Sequence, residues 1–260
     1  MTEGRRIVAM GGRGFSARPG DRELDRYVIE QASVTNPRIC LLPTASGDPD
    51  EQIQRFYRAF FELDCEPSHL SLFRLASHPV DIRTRLLEQD VIYVGGGSMV
   101  NLLAIWRVHG LPEILSEAWH KGIVLCGISA GSMCWFTAGV TKSFGRPHLT
   151  EGLGLLPDSN SVHWHSEPER RPCFRDAIAR GQAQPGWGVD DGGALFFAGT
   201  EMVEAVSARP DAGACRVDVT ETGEVVEEPV ETIALEKPRG AEAALIAIEE
   251  YREARRSARG

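Results

Sequence analysis

The segment 127–131, Gly-Ile-Ser-Ala-Gly, places a serine among small residues in the spacing G-x-S-x-G. It follows the apolar run at 123–126 and precedes a helix-like stretch, which predicts a sharp turn from a buried strand into a helix. A serine in such a turn is held in a strained backbone conformation with its hydroxyl exposed, as nucleophilic attack requires. The alternative is an ordinary turn in which Ser129 only caps the helix.

Backbone donors for a developing oxyanion are predicted at two places near this serine. The N–H of Ala130 lies at the start of the predicted helix, where the helix dipole favours negative charge. The glycine run 95–97 follows another apolar run, and successive glycines expose their N–H groups. Neighbouring parallel strands would bring Gly96 and Gly97 beside Ser129. Without that serine, the run would be read as a packing feature only.

A serine nucleophile needs a histidine as base, and the histidine is normally held by an acid. Of the seven histidines, His163 and His165 lie in the alternating segment 161–166, which predicts a short strand with both on one face. For the acid, Asp190 and Asp191 stand just before an apolar strand. Ordinary turn-forming aspartates are the alternative at these two positions.

Composition limits the class of protein and its partners. Of the 260 residues 42% are hydrophobic and 25% charged, as is typical of a soluble globular protein. A net charge of −9 argues against nucleic acid or an anionic membrane surface as the main partner. The six cysteines have no metal-ligand spacing, and we find neither a membrane span nor a signal peptide. We expect a cytoplasmic protein with reduced thiols and no metal or cofactor.

Short apolar runs alternate with amphipathic stretches in the first half of the chain. Strands are predicted at 6–10, 38–42, 68–72, 90–94 and 123–126, and helices at 23–32, 49–63, 79–88, from Ser98 and after residue 131. This alternation predicts an α/β fold with a doubly wound, mostly parallel sheet covered by helices on both faces. Farther along, loops are predicted at 142–161, a helix at 173–180, and strands or hairpin arms at 194–197, 201–207 and 215–219. We expect a single domain over 1–236 and a helical tail at 237–260.

Four motifs together resemble the peptidase E family of serine peptidases. They are GGGS-x-x-N-L-L at 95–103, GISAGS at 127–132, GLGLLP at 152–157 and HWHSEPERRP at 163–172. The resemblance begins at the GGRGF after the first strand and extends to about residue 200, with the motifs in the family's order. It implies a class I glutamine amidotransferase-like fold, a relationship to cyanophycinases and a small peptide as substrate. We expect a monomer or a homodimer.

By this resemblance Ser129 is the nucleophile and His163 its base, while His165 lines the substrate site. The Ala130 N–H and a glycine of the 95–97 run would form the oxyanion hole. Family members cleave dipeptides with an N-terminal aspartate, and cyanophycinases cleave β-aspartyl-arginine links. Both substrates require cations near a carboxylate. The residues expected around the substrate are Arg170, Arg171 and Asn101.

The acid departs from the pattern of the enterobacterial enzymes, which place an aspartate shortly after the serine. Here residues 130–150 contain no Asp or Glu, and Lys142 stands near the expected position. Cyanophycinases use a glutamate in a Gly-Ile-Asp-Glu segment, which Gly-Val-Asp-Asp at 188–191 resembles. Asp191 is therefore the predicted acid, and the alternatives are Asp190, Glu151 and Glu167.

Two other functions stay open at this point. One is a cyanophycinase-like or other amide hydrolase of the same fold, and the other is a catalytically idle protein that binds a small anion. The idle anion-binding protein is suggested by the absence of Asp and Glu shortly after Ser129. An amidotransferase subunit is disfavoured, because that chemistry uses cysteine where this chain has Ser129.

Overall fold

The computed structural model describes residues 4–16 and 22–236 of the chain. Its strands are β1 (Arg6–Met10), β2 (Arg38–Leu42), β3 (Glu66–His69), β4 (Val91–Val94), β5 (Val124–Ile128), β6 (Phe136–Thr141), β7 (His148–Glu151), β8 (Leu156–Val162), β9 (Gly186–Val189), β10 (Gly193–Ala198), β11 (Glu201–Ser207), β12 (Ala214–Val219), β13 (Val225–Pro229) and β14 (Thr232–Ala234). Its helices are α1 (Glu23–Glu30), α2 (Asp50–Phe60), α3 (Ile82–Leu87), α4 (Met99–Val108), α5 (Leu111–His120), α6 (Ala130–Met133) and α7 (Arg170–Ala179). The tail predicted at 237–260 lies outside the described residues, and the single domain over 1–236 stays a prediction.

The described strands form two sheets. The first has eight strands in the order β14-β11-β10-β1-β5-β4-β2-β3, and it is parallel from β1 to β3. On the other side of β1, strand β10 runs antiparallel to both β1 and β11. The second sheet has six strands in the order β13-β12-β9-β8-β6-β7. The predicted α/β class with a mostly parallel central sheet is confirmed. Of the strands or hairpin arms predicted near the end of the chain, 194–197 and 201–207 lie in β10 and β11 of the first sheet and 215–219 lies in β12 of the second.

Strand β4 shows why the central sheet is buried on both faces. Its four residues are fully buried, and Ile92 and Val94 belong to one core cluster while Val91 and Tyr93 belong to the other. Successive side chains of a strand point to opposite faces, so an unbroken apolar run supplies both cores. Helices α4 and α5 contribute side chains to the first cluster, and α1 and α2 contribute to the second. No helix in the described part of the chain is long and apolar enough to cross a membrane.

The prediction of loops over 142–161 is wrong, because this segment contains β7 and most of β8. The central residues of β8 are Ser159, Asn160 and Ser161, which are polar yet fully buried. The backbone of β8 pairs with a strand on each side, and the Asn160 amide donates to Ser132 Oγ (3.1 Å). A polar strand buried inside a sheet has the composition of a loop, which is why apolar periodicity missed it.

The strand predicted for 161–166 is also wrong, because β8 ends at Val162 and residues 163–169 form turns. His163 has φ 57°, in the left-handed region, and this conformation stops the strand. The Glu167 N–H then donates to the His163 carbonyl (2.8 Å), which closes the first turn. The two histidines therefore do not share a strand face.

The carboxyl ends of β1, β4 and β5 lie side by side, so the residues that follow them share one edge of the first sheet. Gly11 and Gly12 follow β1, the glycine run 95–97 follows β4, and Ser129 follows β5. The turn after β9 of the second sheet reaches the same edge, where the Gly192 N–H donates to the Gly12 carbonyl (3.4 Å). The two sheets thus meet at the predicted site.

Candidate active site

Ser129 occupies a strained position between β5 and α6, with φ 55° and ψ −112°. A non-glycine residue rarely has a positive φ, and holding one there costs about 1–3 kcal/mol. The neighbouring glycines explain how the chain makes this turn. A Cβ on Gly127 would overlap the Gly131 carbonyl, and a Cβ on Gly131 would overlap the Val94 carbonyl. The spacing G-x-S-x-G is therefore required by close approaches of the backbone to itself.

A continuous chain of hydrogen bonds links Ser129, His163 and Asp191. Ser129 Oγ lies 2.9 Å from His163 Nε2, and His163 Nδ1 lies 2.7 Å from Asp191 Oδ1. Because the carboxylate accepts at Nδ1, the ring proton is held there and Nε2 is left to accept from the serine hydroxyl. This arrangement can remove the hydroxyl proton as the oxygen attacks a carbonyl carbon.

The carboxylate of Asp191 is engaged on both oxygens. Ser166 Oγ donates to Oδ2 (2.5 Å), while Oδ1 faces His163. Burial acts to raise the pKa of Asp191, but the hydrogen bonds from His163 and Ser166 and the charges of His163 and Arg13 hold that pKa below its ordinary 3.8. The side chain therefore stays ionised at neutral pH. Gly12 packs against it, since a Cβ there would overlap Asp191 Oδ1.

The glycine run lies beside the serine, as parallel pairing of β4 and β5 requires. A Cβ on Gly96 would stand 3.4 Å from the Ser129 Cβ, whereas a Cβ on Gly97 would overlap the Ala45 carbonyl. Within the described residues, the N–H groups of Gly96 and Ala130 donate to no acceptor. Of the two glycines, Gly96 is thus the one next to Ser129, and its N–H is available to a ligand.

Asp190 belongs to a second histidine–aspartate pair. Its Oδ1 accepts from His165 Nδ1 (2.7 Å) and from the His165 N–H (3.1 Å), and its Oδ2 accepts from the Gly213 N–H (3.1 Å). The side chain of His165 is 68% exposed and borders a cavity of about 470 Å³ that Asp190 and Gly213 also line. Asp190 is therefore not the partner of His163.

The side chains of the remaining alternatives for the acid make no hydrogen bond with the His163 ring. Glu167 pairs with Arg170 (2.8 Å) and Lys142 (3.3 Å), and Glu151 is exposed on β7. Lys142, which stands near the position first expected for the acid, also pairs with Glu169 (2.7 Å). Among the described carboxylates, only Asp191 is hydrogen-bonded to the His163 ring.

The arginines predicted to contact substrate are engaged elsewhere. Arg170 is 5% exposed, and its guanidinium donates to Glu167 and to the Val140 carbonyl, so the prediction of a substrate contact there is corrected to a structural role. Arg171 pairs with Glu227 (2.5 Å) and lies over the Trp164 ring (5.0 Å), so it is not a free cation. Asn101 is exposed in the first turn of α4 and stays a prediction.

Sequence reasoning missed Gly12 and Ser166, which both contact Asp191. A Gly-Gly pair at the end of the first strand was a usable signal for Gly12, because glycines at the carboxyl edge of a parallel sheet allow close approach. Ser166 had no signal, since its role depends on the turns after His163. No group of three or more His, Cys, Asp or Glu side chains within 4–16 and 22–236 is arranged to hold a metal ion.

A protein-family model and named relatives match this chain. Residues 7–205 match the model of peptidase family S51. The chain is 47% identical over 226 residues to the uncharacterized peptidase YgaJ of Bacillus subtilis (strain 168), which covers 87% of this chain and 97% of that protein. It is 24% identical over 187 residues to a cyanophycinase of Trichormus variabilis, which covers 68% of this chain and 62% of that protein.

Solved structures show the same fold at low sequence identity. A peptidase from an acI-B1 Actinobacterium has a TM-score of 0.67 at 20% identity, covering 88% of this chain and 94% of that one. A candidate peptidase E from Listeria monocytogenes EGD-e has a TM-score of 0.55 at 18% identity, covering 76% and 96%. Since the family model spans most of the chain, including every residue of the hydrogen-bonded site, the chain belongs to peptidase family S51 and is a serine peptidase of that family.

Proposed function

We propose that this enzyme hydrolyses amide bonds of small peptides through an acyl-enzyme on Ser129, with His163 as general base and Asp191 as the acid that orients it. The observation that carries the proposal is the hydrogen-bonded chain from Ser129 Oγ through His163 (2.9 Å) to Asp191 (2.7 Å). The strained backbone of Ser129 adds support, because strain of this kind is concentrated at functional sites.

The proposed reaction has two steps. His163 Nε2 takes the hydroxyl proton as Ser129 Oγ bonds to the carbonyl carbon, and the N–H groups of Gly96 and Ala130 donate to the resulting oxyanion. Collapse breaks the C–N bond, and His163 returns the proton to the leaving amine. Water then attacks the acyl-enzyme with His163 again as base, which releases the acid and restores the serine hydroxyl.

The narrower proposal is an exopeptidase or dipeptidase that favours an acidic, aspartyl residue. Its support is the similarity to a cyanophycinase and to a candidate peptidase E. Arg170 and Arg171, the cations first expected to bind an acidic substrate, are instead paired with carboxylates of the chain itself. His165 and Asn101 are the predicted residues left to contact substrate, and His165 is held for it because Asp190 fixes its Nδ1 while its ring is exposed. A panel of dipeptides and isoaspartyl peptides tests the preference.

A cytoplasmic location belongs to the same proposal. All six cysteines are free thiols, which suits a compartment where thiols are kept reduced. Fractionation of cells that express the tagged full chain tests it, and recovery of the protein outside the cytoplasm would contradict it.

The nucleophile is tested by fluorophosphonate labelling and by hydrolysis of the peptide panel. We expect the wild-type enzyme to be labelled at Ser129, and Ser129→Ala to lose the label and at least about a thousandfold of kcat. Ser77→Ala is the control, since Ser77 is an exposed serine far along the chain from the site. If Ser129→Ala still hydrolyses the peptides, Ser129 is not the nucleophile. Labelling without cleavage of any peptide would point instead to another amide hydrolase of this fold.

A further inference from the structure

A second cavity, of about 440 Å³, lies at the carboxyl end of β3, the edge strand of the first sheet. Strands β2 and β4 separate β3 from β5, which puts the cavity about 14 Å from the Ser129 turn at roughly 4.8 Å per strand. Its lining combines basic side chains with apolar ones and a serine. The lining residues are His69, Arg74, His78 and Arg85 with Leu70, Ser71, Pro79 and Val80.

The basic side chains come from four different elements that converge on this space. His69 ends β3, Arg74 belongs to the 3-10 turn Leu72–Arg74, His78 lies in the following loop, and Arg85 lies on α3. No carboxylate lines the cavity in the described part of the chain. Convergence of two arginines and two histidines from separate elements distinguishes this site from a run of charges along one exposed helix face.

Arg85 is the cation with no partner in this cluster. Its guanidinium makes no ion pair or hydrogen bond with any residue that the structure describes, whereas Arg74 pairs with Asp50 (2.6 Å). The buried acid Asp48 makes no ion pair with Arg85, and its Oδ2 accepts from Ser71 Oγ (2.6 Å) and the Phe73 N–H (3.2 Å). An unpaired guanidinium at a cavity wall is a group that a carboxylate or phosphate can satisfy with paired hydrogen bonds.

His69 contributes a half-buried ring to the cavity, with a pKa below its ordinary value. Burial lowers its pKa, and the charges of Arg74 and Arg85 lower it further, although Asp48 and Asp50 act in the opposite direction. Its Nδ1 lies 2.9 Å from the Tyr57 hydroxyl. When that hydroxyl donates to Nδ1, the ring proton is on Nε2 and can be donated to a ligand.

We propose that this cavity binds a small organic anion, whose phosphate or carboxylate group is held by Arg85, Arg74 and His69. The apolar wall of Leu70, Pro79 and Val80 would contact the organic part of the molecule. The volume is in the range of small-molecule sites, about 300–1,000 Å³, and it exceeds the space that an inorganic ion fills. The site stands apart from Ser129, so the proposal holds whether or not the proposed peptidase mechanism does.

The test is calorimetric titration of the full chain with inorganic phosphate and, separately, with succinate. We expect Arg85→Gln to weaken binding of the anion at least about tenfold, because it removes a charged hydrogen-bonding partner. The matched control is Arg83→Gln, which makes the same charge change on the same helix but outside the cavity, where Arg83 pairs with Glu117 (2.5 Å). That variant should bind within about twofold of wild type. The anion that binds with the lower Kd shows whether the site prefers a phosphate or a carboxylate group.

An NMR titration of the histidine rings supplies a second measurement. A bound anion should raise the pKa of His69, and Arg85→Gln should reduce that rise, while fluorophosphonate labelling of Ser129 stays at the wild-type level. Absence of binding of both anions up to about 10 mM, or equal loss in Arg85→Gln and Arg83→Gln, would overturn the proposal. Thermal unfolding of both variants confirms that each is folded before it is titrated.

Discussion

At the residue scale, Asp191 holds His163 by a single oxygen, and the adjacent Asp190 holds His165. We expect Asp191→Asn to lower kcat by about a thousandfold or more, because an amide at this place no longer fixes the ring proton on Nδ1. Asp190→Asn is the matched control, one residue away, and should leave most of kcat intact while altering KM. Steady-state kinetics on the best peptide of the panel measures both. A larger kcat loss in Asp190→Asn would reassign the acid.

Ser166 donates to the other oxygen of Asp191 and helps to keep its pKa low. Removal of this donor disfavours the charged carboxylate, so in Ser166→Ala the pKa of Asp191 rises. An NMR titration of the Asp191 carboxyl should therefore show a higher pKa in Ser166→Ala than in wild type, and kcat should fall because the carboxylate is held by one hydrogen bond fewer. Ser166→Thr keeps a hydroxyl and should restore both values. An unchanged pKa of Asp191 in Ser166→Ala would show that Ser166 only packs there.

These residues differ in how far sequence could predict them. Ser129 stands in a motif whose spacing follows from backbone contacts. Residue types alone left His163 and His165 open as the base, and the family resemblance selected His163. Arg170 was misread because burial is a property of the folded chain, and the same guanidinium that suits a substrate carboxylate also suits Glu167. Ser166 depends on the left-handed turn at His163, which no local pattern announces.

At the scale of elements, the loop after β1 places Gly12 against the carboxylate of Asp191. In Gly12→Ala the new Cβ would overlap Asp191 Oδ1 and crowd the His163 ring, so the pair must separate. A misplacement of about 1 Å in such a site costs roughly a hundredfold in rate, which is the loss of kcat that we expect. Stability should change less, because the clash is with a side chain that can move.

Gly4→Ala is the control for this substitution, since a Cβ on Gly4 meets its nearest atom at 3.8 Å. We expect wild-type kcat in that variant. If Gly12→Ala is shown by circular dichroism to be folded and still has wild-type kcat, the described contact between the loop after β1 and Asp191 is contradicted.

Strands β1, β2, β4 and β5 were predictable because each is a continuous apolar run that ends at a glycine or proline. The edge strand β3 is Glu-Pro-Ser-His, and it lies at 66–69 instead of the predicted 68–72. Most of the second sheet was missed, and β8 shows the reason: its middle contains Ser-Asn-Ser, buried between β6 and β9. Pairing with two neighbouring strands outweighs the local preference of these residues for turns. For this reason His163 was predicted to lie on a strand, whereas it lies in the turn that follows β8.

At the scale of the whole molecule, the site is assembled where two sheets meet, and each sheet supplies part of it. The first sheet positions Ser129 and Gly96, and the second positions His163. Opening of the two sheets relative to each other would separate nucleophile from base before either sheet unfolds. The same edge of the first sheet carries the proposed anion cavity at β3, so a sheet of this kind offers more than one place for a ligand.

Overall stability should depend on pH through Asp25, which is fully buried on α1. Burial raises its pKa to about 7, although the charge of Arg22 and a hydrogen bond from Tyr93 oppose the rise. Between about pH 4 and 7 the folded chain therefore keeps a proton that the unfolded chain has released, so stability falls as pH rises, by about 1.4 kcal/mol per unit. Above pH 7 the loss is complete.

Asp25→Asn removes this titration and keeps an oxygen that can accept from Tyr93. Its free energy of unfolding relative to wild type should rise by about 3 kcal/mol between pH 5 and pH 8, measured by urea unfolding at each pH. The comparison with wild type cancels carboxylates such as Asp191, whose lowered pKa gives the opposite slope at lower pH. Asp64→Asn, at an exposed site, should show a flat difference. An equally flat difference for Asp25→Asn would mean that Asp25 is ionised in the folded chain and that its charge is compensated by Arg22.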